Sequence, residues 1–173
     1  MLKVKTAAFE HALTRTLQFE GGFAQHKADN GGATNRGISL RFLRSVQPEA
    51  TDETVRNMTH EEAAGLYLKY FWLPCYDTMP QDVSCRVFDM AVVSGPVQAA
   101  KCIQRALLAC GQPMKDDGII GNKTMAAIRT TKPELLLPAL RSEMAAHFRC
   151  IVARDPSQHV FLDGWLKRAY SVA

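Results

Sequence analysis

Phe19-Glu-Gly-Gly-Phe23 and, after a polar stretch, Asp29-Asn-Gly-Gly-Ala-Thr34 are the segments that decide the fold of this chain. Before them, Phe9, Leu13 and Leu17 recur every four residues, which predicts an amphipathic helix. The paired glycines then end that helix. Glycine content and length predict a small hairpin or irregular flap from there to about residue 38.

Glu20 falls at the end of the predicted helix. The C-terminal end of a helix carries partial negative charge, which raises the pKa of a carboxyl group there. A raised pKa suits a general acid. Asp29 and Thr34 follow on the glycine-rich segment, which can fold back over the helix end. Two carboxylates and a hydroxyl around one bond are typical of a glycosidase.

Each of these three residues also has a purely structural interpretation. Glu20 can be a surface glutamate at a frayed helix end, Asp29 can close an Asx turn, and Thr34 can cap the backbone. The residues alone leave these alternatives open.

Composition and charge narrow the class of protein. With 173 residues, 47% of them hydrophobic, the chain can form one compact domain or two tightly joined lobes. The net charge of +4 modestly favours an anionic polymer as partner. Basic residues are scattered and no zinc-finger spacing occurs, so we expect no nucleic acid partner.

Targeting and metal motifs are missing from the sequence. The N-terminus lacks the apolar core of a signal peptide and no segment is long enough to span a bilayer, so we expect cytoplasmic synthesis and no stable membrane insertion. The five histidines show no HExxH spacing, and we expect no metal and no cofactor. A zinc amidase with distant ligands is the alternative. The five cysteines, without a CxxC pair, indicate reduced thiols, although a catalytic cysteine paired with His147 or His159 stays open.

Helical signals dominate the rest of the chain, and the predicted class is mostly α. Ser39 caps a short helix, a polar loop follows, and Thr59 and Glu62 form a capping box that opens the next helix. The helix after Pro80 is so apolar that we place it at the centre of the fold.

Several other residues are candidates for substrate binding. Tyr67, Tyr70 and Trp72 can stack on a sugar face, although core packing is the alternative use for at least one of them. Asp89 lies in an otherwise apolar helix. It is either a buried, hydrogen-bonded carboxylate, which we favour, or part of the floor of a cleft.

The sequence resembles glycoside hydrolase family 108, the N-acetylmuramidases found as phage endolysins and as wall hydrolases linked to protein export. The resemblance rests on the two opening motifs and on later segments that cover nearly the whole chain. These later segments are Leu66-Tyr67 and Trp72, Val87-Phe-Asp-Met-Ala-Val92, Ser94-Gly-Pro96, and Asp117-Gly-Ile-Ile-Gly121 with Lys123-Thr124. Leu73 and Val93 depart from the family, where aspartate and asparagine are expected.

The resemblance implies a lysozyme-like α fold with Glu20 as catalytic acid, in a Glu, Asp, Thr order similar to that of phage-type lysozymes. It places the catalytic part at residues 1–80 and a peptidoglycan-binding helical part, sharing the same core, at residues 81–173, with Ser94 as a further substrate-binding candidate. The expected partner is the peptidoglycan glycan strand, cut by a monomeric endolysin that reaches the periplasmic wall through a holin or an export system. A non-catalytic wall-binding or secretion-assisting module is the alternative.

Overall fold

The computed structural model describes residues 4–19, 22–23 and 32–171. Within them the protein is mostly α-helical, with one two-stranded hairpin between the first and second helices, so the predicted fold class is confirmed. The α-helices are α1 (Ala7–Phe19), α2 (Leu40–Val46), α3 (Asp52–Arg56), α4 (His60–Tyr70), α5 (Gln81–Ser94), α6 (Pro96–Ala109), α7 (Asn122–Thr130), α8 (Pro133–Arg154) and α9 (His159–Tyr170). Short 3-10 helices cover Pro74–Thr78 and Pro156–Gln158.

Helix α5 is the central element, as its apolar sequence predicts. Every residue from Val83 to Ala91 is buried, because α1, α6 and α8 pack around it. Gly95 ends the helix with a φ of 87°, and Pro96 starts α6 at once. Glycine tolerates this left-handed backbone, and proline suits a first helical turn because it has no N–H to leave unpaired.

An aromatic cluster joins the N-terminal helices to α5. The Phe88 ring meets the rings of Phe9, Trp72 and Tyr67 edge-on, with centroids 5.9, 5.3 and 6.0 Å away. Edge-to-face packing is the favourable geometry for such rings. The two predicted parts of the chain therefore meet in one core around Phe88.

The hairpin pairs β1 (Thr34–Asn35) with β2 (Ile38–Ser39) in antiparallel register, Thr34 opposite Ser39. Arg36 and Gly37 form its two-residue turn with φ values of 50° and 75°. Two positive φ angles match the twist of a tight hairpin, and glycine adopts the second at no steric cost.

Helix α3 was not predicted, because residues 51–58 read as a polar loop. That prediction was wrong. Thr51 caps the helix, and its hydroxyl and that of Thr54 form a reciprocal capping box. The signal was present but unusual, since threonine takes the place that glutamate or glutamine holds in the common form of this motif.

The longest helix, α8, carries Pro138 inside its first two turns and buries Leu140, Met144 and Phe148. Phe148 stacks on Trp165 of α9, with ring centroids 5.4 Å apart. Across the described ranges, no helix combines the length and apolar character that crossing a bilayer requires.

Candidate functional site

Helix α1 leads to the predicted catalytic acid. It buries Phe9, Ala12, Leu13 and Thr16 and is described as far as Phe19. Glu20, the next residue in the chain, and Asp29 both lie outside the described residues. Their catalytic roles stay predictions. The described residues that pack against the last turn of α1 are given next.

A buried ion pair lies against the end of α1. Arg168 of α9 donates hydrogen bonds to both carboxylate oxygens of Asp89, from Nε at 3.0 Å to each and from Nη2 to Oδ1 at 2.8 Å. Asp89 is 5% exposed and Arg168 is 8% exposed. The Phe19 ring centroid lies 5.5 Å from the Arg168 guanidinium carbon. A fully hydrogen-bonded, two-pronged pair of this kind fixes both side chains in place.

Arg86 adds a second guanidinium to this region. Its Nη1 donates to the Arg168 carbonyl oxygen and to the Ser171 hydroxyl, each at 3.0 Å, and its Nη2 donates to the Ser171 carbonyl oxygen. Carbonyls at the end of a helix lack intrahelical partners, so Arg86 satisfies those at the end of α9. Burial lowers the pKa of Arg86, and the negative charge of Asp89 opposes that effect.

A small cavity of about 10 Å³ lies between α1 and α5, beside Arg86 and Asp89. That volume is close to the minimum that holds one water molecule. Its lining residues are Arg15, Thr16, Phe19, Cys85, Arg86 and Asp89.

Thr34, the third predicted catalytic residue, lies on β1 and is half-buried. Its Oγ1 donates to the Gly32 carbonyl oxygen at a long 3.4 Å. The neighbouring Asn35 side chain anchors the hairpin to α3 through Nδ2 bonds of 3.0 Å to the carbonyl oxygens of Val55 and Arg56. The hairpin therefore presents Thr34 from a fixed backbone.

The aromatic candidates divide into two groups. Tyr67 and Trp72 are buried, and their polar atoms bond inside the protein, the Tyr67 hydroxyl to the Arg36 carbonyl oxygen at 2.6 Å and Trp72 Nε1 to Asp77 at 3.2 Å. This is the packing role that the sequence left open for such residues. Tyr70 is half-buried and lines an open groove of about 290 Å³. Sugar contact stays a prediction for all three, and Tyr70 is the one beside an open groove.

Asp89 and Ser94 both lie on α5, but Asp89 is buried and Ser94 is only half-buried. The burial and ion pair of Asp89 match the hydrogen-bonded carboxylate that the sequence favoured. Ser94 is half-buried, and its Oγ lies 3.1 Å from Nε2 of His147 on α8. Burial, and then the charges of Arg105 and Arg154, lower the pKa of that histidine.

A zinc site and a catalytic cysteine were the alternatives that the sequence left open. Across residues 4–19, 22–23 and 32–171, no group of histidine, cysteine and acidic side chains could hold a metal ion. The five cysteines are free thiols. Cys102 is fully buried, which raises its pKa to about 11 and keeps it protonated.

Arg86 and Arg168 were not predicted as part of the site. A charged residue inside the apolar run of α5 was a signal for Arg86, as it was for Asp89. Arg168 gave no such signal, because basic residues are common in the last turn of a helix, where they complement the dipole.

Two family models and a solved structure match the chain. The model of the glycosyl hydrolase 108 family matches residues 13–95, and a model described as a predicted peptidoglycan domain matches residues 98–170. The solved structure of SagA from Brucella abortus is similar, with a TM-score of 0.78 and 29% sequence identity, over 93% of this chain and 88% of that one. No curated protein matches the sequence. The segment of residues 13–95 therefore belongs to glycosyl hydrolase family 108, and the chain is a peptidoglycan hydrolase whose C-terminal segment matches a predicted peptidoglycan domain.

Proposed function

We propose that the protein is an N-acetylmuramidase, which cleaves the β-1,4 bond between N-acetylmuramic acid and N-acetylglucosamine with Glu20 as general acid. One observation carries the proposal: the family match over residues 13–95 includes the segment from Glu20 to Thr34. The match of residues 98–170 to a predicted peptidoglycan domain supports peptidoglycan as the polymer that is bound during cleavage.

In this mechanism, Glu20 gives its proton to the leaving glycosidic oxygen as positive charge develops on the sugar ring. Asp29 acts either as the base for the attacking water or as an electrostatic partner of that charge. The Thr34 hydroxyl orients the water from the hairpin. Analysis of the anomer first released separates the two roles of Asp29, because direct attack by water gives inversion.

We further propose that the protein acts as a monomeric endolysin. It is made in the bacterial cytoplasm and reaches the periplasmic face of the wall through a holin or an export system.

Digestion of purified peptidoglycan, followed by mass spectrometry of the products, tests the reaction. A muramidase leaves reducing muramic acid ends, a transglycosylase leaves anhydro ends and an amidase frees stem peptides. We expect Glu20→Gln to lower the rate by about 10²- to 10⁴-fold, because the variant keeps the shape of the side chain and loses the proton.

Glu10→Gln is the matched control, since Glu10 lies exposed on the same helix. It should digest peptidoglycan at the wild-type rate. Digestion by Glu20→Gln at the rate of this control would show that Glu20 is not the acid.

A binding module is the second candidate, favoured by the match of residues 98–170 to a predicted peptidoglycan domain. Such a module would sediment with insoluble peptidoglycan and release no products, and Glu20→Gln would leave the sedimented fraction unchanged. Product release by the wild-type protein separates the two candidates.

A further inference from the structure

Two polar side chains lie buried where α1 packs on α5. Thr16 of α1 is 1% exposed and Arg86 of α5 is 3% exposed. The Thr16 Oγ1 and Arg86 Nε atoms have no hydrogen-bond partner among the protein atoms that the structure describes. Buried polar atoms in native proteins are nearly always hydrogen-bonded, because an unpaired one has lost its contact with water and gained nothing in return. Both atoms therefore need a partner that the described part of the protein does not supply.

Both residues border the same narrow cavity between the two helices. Its volume of about 10 Å³ is close to the minimum that holds one water molecule. Asp89, which lies on α5 with Arg86, also lines the cavity. The cavity thus combines the space for one small molecule with several polar groups in its wall, and these are the two conditions for a buried water molecule.

The polar groups of the cavity wall fit the bonding pattern of water. The guanidinium of Arg86 stays protonated in proteins, so its Nε–H is a permanent donor that needs an acceptor. Its Nη atoms already donate to Arg168 and Ser171. The Thr16 hydroxyl can donate or accept, and the carboxylate of Asp89 only accepts. Water both accepts and donates, so one molecule can satisfy Arg86, Thr16 and Asp89 together.

The charges of the wall disfavour an ion at this site. Arg15 and Arg86 repel a cation, and Asp89 repels an anion. The cavity is also too small for a carboxylate or a phosphate group, since both are larger than a water molecule. A neutral dipole is favoured here, because it turns its oxygen toward the guanidinium and a hydrogen toward the carboxylate. Hydrogen bonds to charged groups are stronger than those between neutral groups.

We propose that the cavity is a binding site for one ordered water molecule. The water accepts a hydrogen bond from Nε of Arg86 and bonds the Thr16 hydroxyl and the Asp89 carboxylate, and it thereby joins α1 to α5. This site is independent of the proposed function, because the packing of two helices forms it and no reaction step uses it.

Thr16→Val tests the site because it removes the hydroxyl and keeps the shape of the side chain. Loss of the bonds to the water should lower Tm by about 2–5 °C. In a dry cavity the outcome differs, since a methyl group in place of an unpaired buried hydroxyl leaves the stability unchanged or raises it. A Tm equal to or above that of the wild-type protein would overturn the proposal.

Thr14→Val is the matched control. Thr14 is exposed on the same helix, where its hydroxyl donates to the Glu10 carbonyl oxygen. The chemical change and the change in helix propensity are the same as at Thr16, and Tm should move by no more than about 1–2 °C. A decrease for Thr16→Val that does not exceed the decrease for this control would also overturn the proposal.

A high-resolution crystal structure of the wild-type protein locates the water directly, so this measurement does not depend on the folding of a variant. We expect one density peak within about 3.2 Å of both Thr16 Oγ1 and Arg86 Nε. An empty cavity would contradict the proposal. Crystals soaked in bromide test for an anion instead, because bromide scatters anomalously. An anomalous peak in the cavity would replace the water site with a halide site.

Discussion

Ser94 and His147 show how one residue contact joins distant parts of the sequence. Their side chains, 53 positions apart, meet at 3.1 Å between α5 and α8. His147 is half-buried, and its surroundings disfavour the charged imidazolium. Stability should therefore depend on pH through this residue.

We expect His147→Gln to reduce the loss of stability on acidification. Because the pKa of His147 is lower in the folded protein than its ordinary value of 6.5, the unfolded chain binds more protons as the pH falls. The stability from neutral His147 is complete above that ordinary value and is lost as the pH falls from there through the folded pKa. Glutamine can still bond Ser94 and does not titrate.

Thermal unfolding at pH 7.5 and pH 5.0 measures this effect. The difference in Tm between the two values should be smaller in His147→Gln than in the wild-type protein. His159→Gln is the control, because His159 is exposed and should leave the difference unchanged. Equal differences in all three proteins would contradict the prediction.

At the scale of elements, the hairpin of β1 and β2 depends on its turn, in which the chain reverses within two residues. A hydrogen bond from Tyr67 holds the turn to α4. Hydrogen bonds from Asn35 hold β1 to α3. Thr34 is held by the same backbone. Strain in the turn should therefore weaken both stability and the placement of Thr34.

We expect Gly37→Ala to destabilise the protein by about 1–2 kcal/mol, since alanine at a φ of 75° strains its Cβ against the backbone. Gly164→Ala is the matched control within α9. Its added Cβ would meet nothing within 4 Å, so alanine should stabilise the helix by about 0.5–1 kcal/mol. Urea midpoints for the two variants should move in opposite directions, and shifts of the same sign would contradict this account.

At the scale of the whole molecule, the two matched segments are joined by a continuous core. Phe88 of the first segment contacts rings from α1 and α4, and α5 also packs on α6 and α8 of the second. The Asp89–Arg168 pair adds a buried link from α5 to α9. These contacts predict that both segments unfold together.

We expect one cooperative unfolding transition for the wild-type protein, with coincident near-UV and far-UV circular dichroism curves. Phe88→Ala should lower the stability of the whole chain by about 3–5 kcal/mol, because it opens a cavity in the shared core. Phe161→Ala is the comparison, since Phe161 is only half-buried and lies outside the Phe88 cluster. Two separate transitions, or a variant in which only residues 1–80 unfold, would contradict a shared core.

The local pattern of the sequence was enough to predict most elements. Ser39, Thr59 and Glu62 mark helix starts because capping is a contact within four residues, and the structure contains those caps. The apolar run of α5 predicted its central position for a similar reason, since a helix without a polar face must be covered on all sides.

The local pattern could not assign partners across the chain. Tyr67 and Tyr70 look equivalent in sequence, yet only the packing of α4 turns the first into the core and the second toward a groove. Nothing near Asp89 in sequence indicates Arg168, because 79 residues separate them. The sequence by itself determined the family, the helices other than α3, and a hairpin or flap after the first helix, which follow from short-range propensity and motif. Only the tertiary structure decided which charges face the end of α1, because side chains that are distant in sequence meet through the packing of α1, α5 and α9.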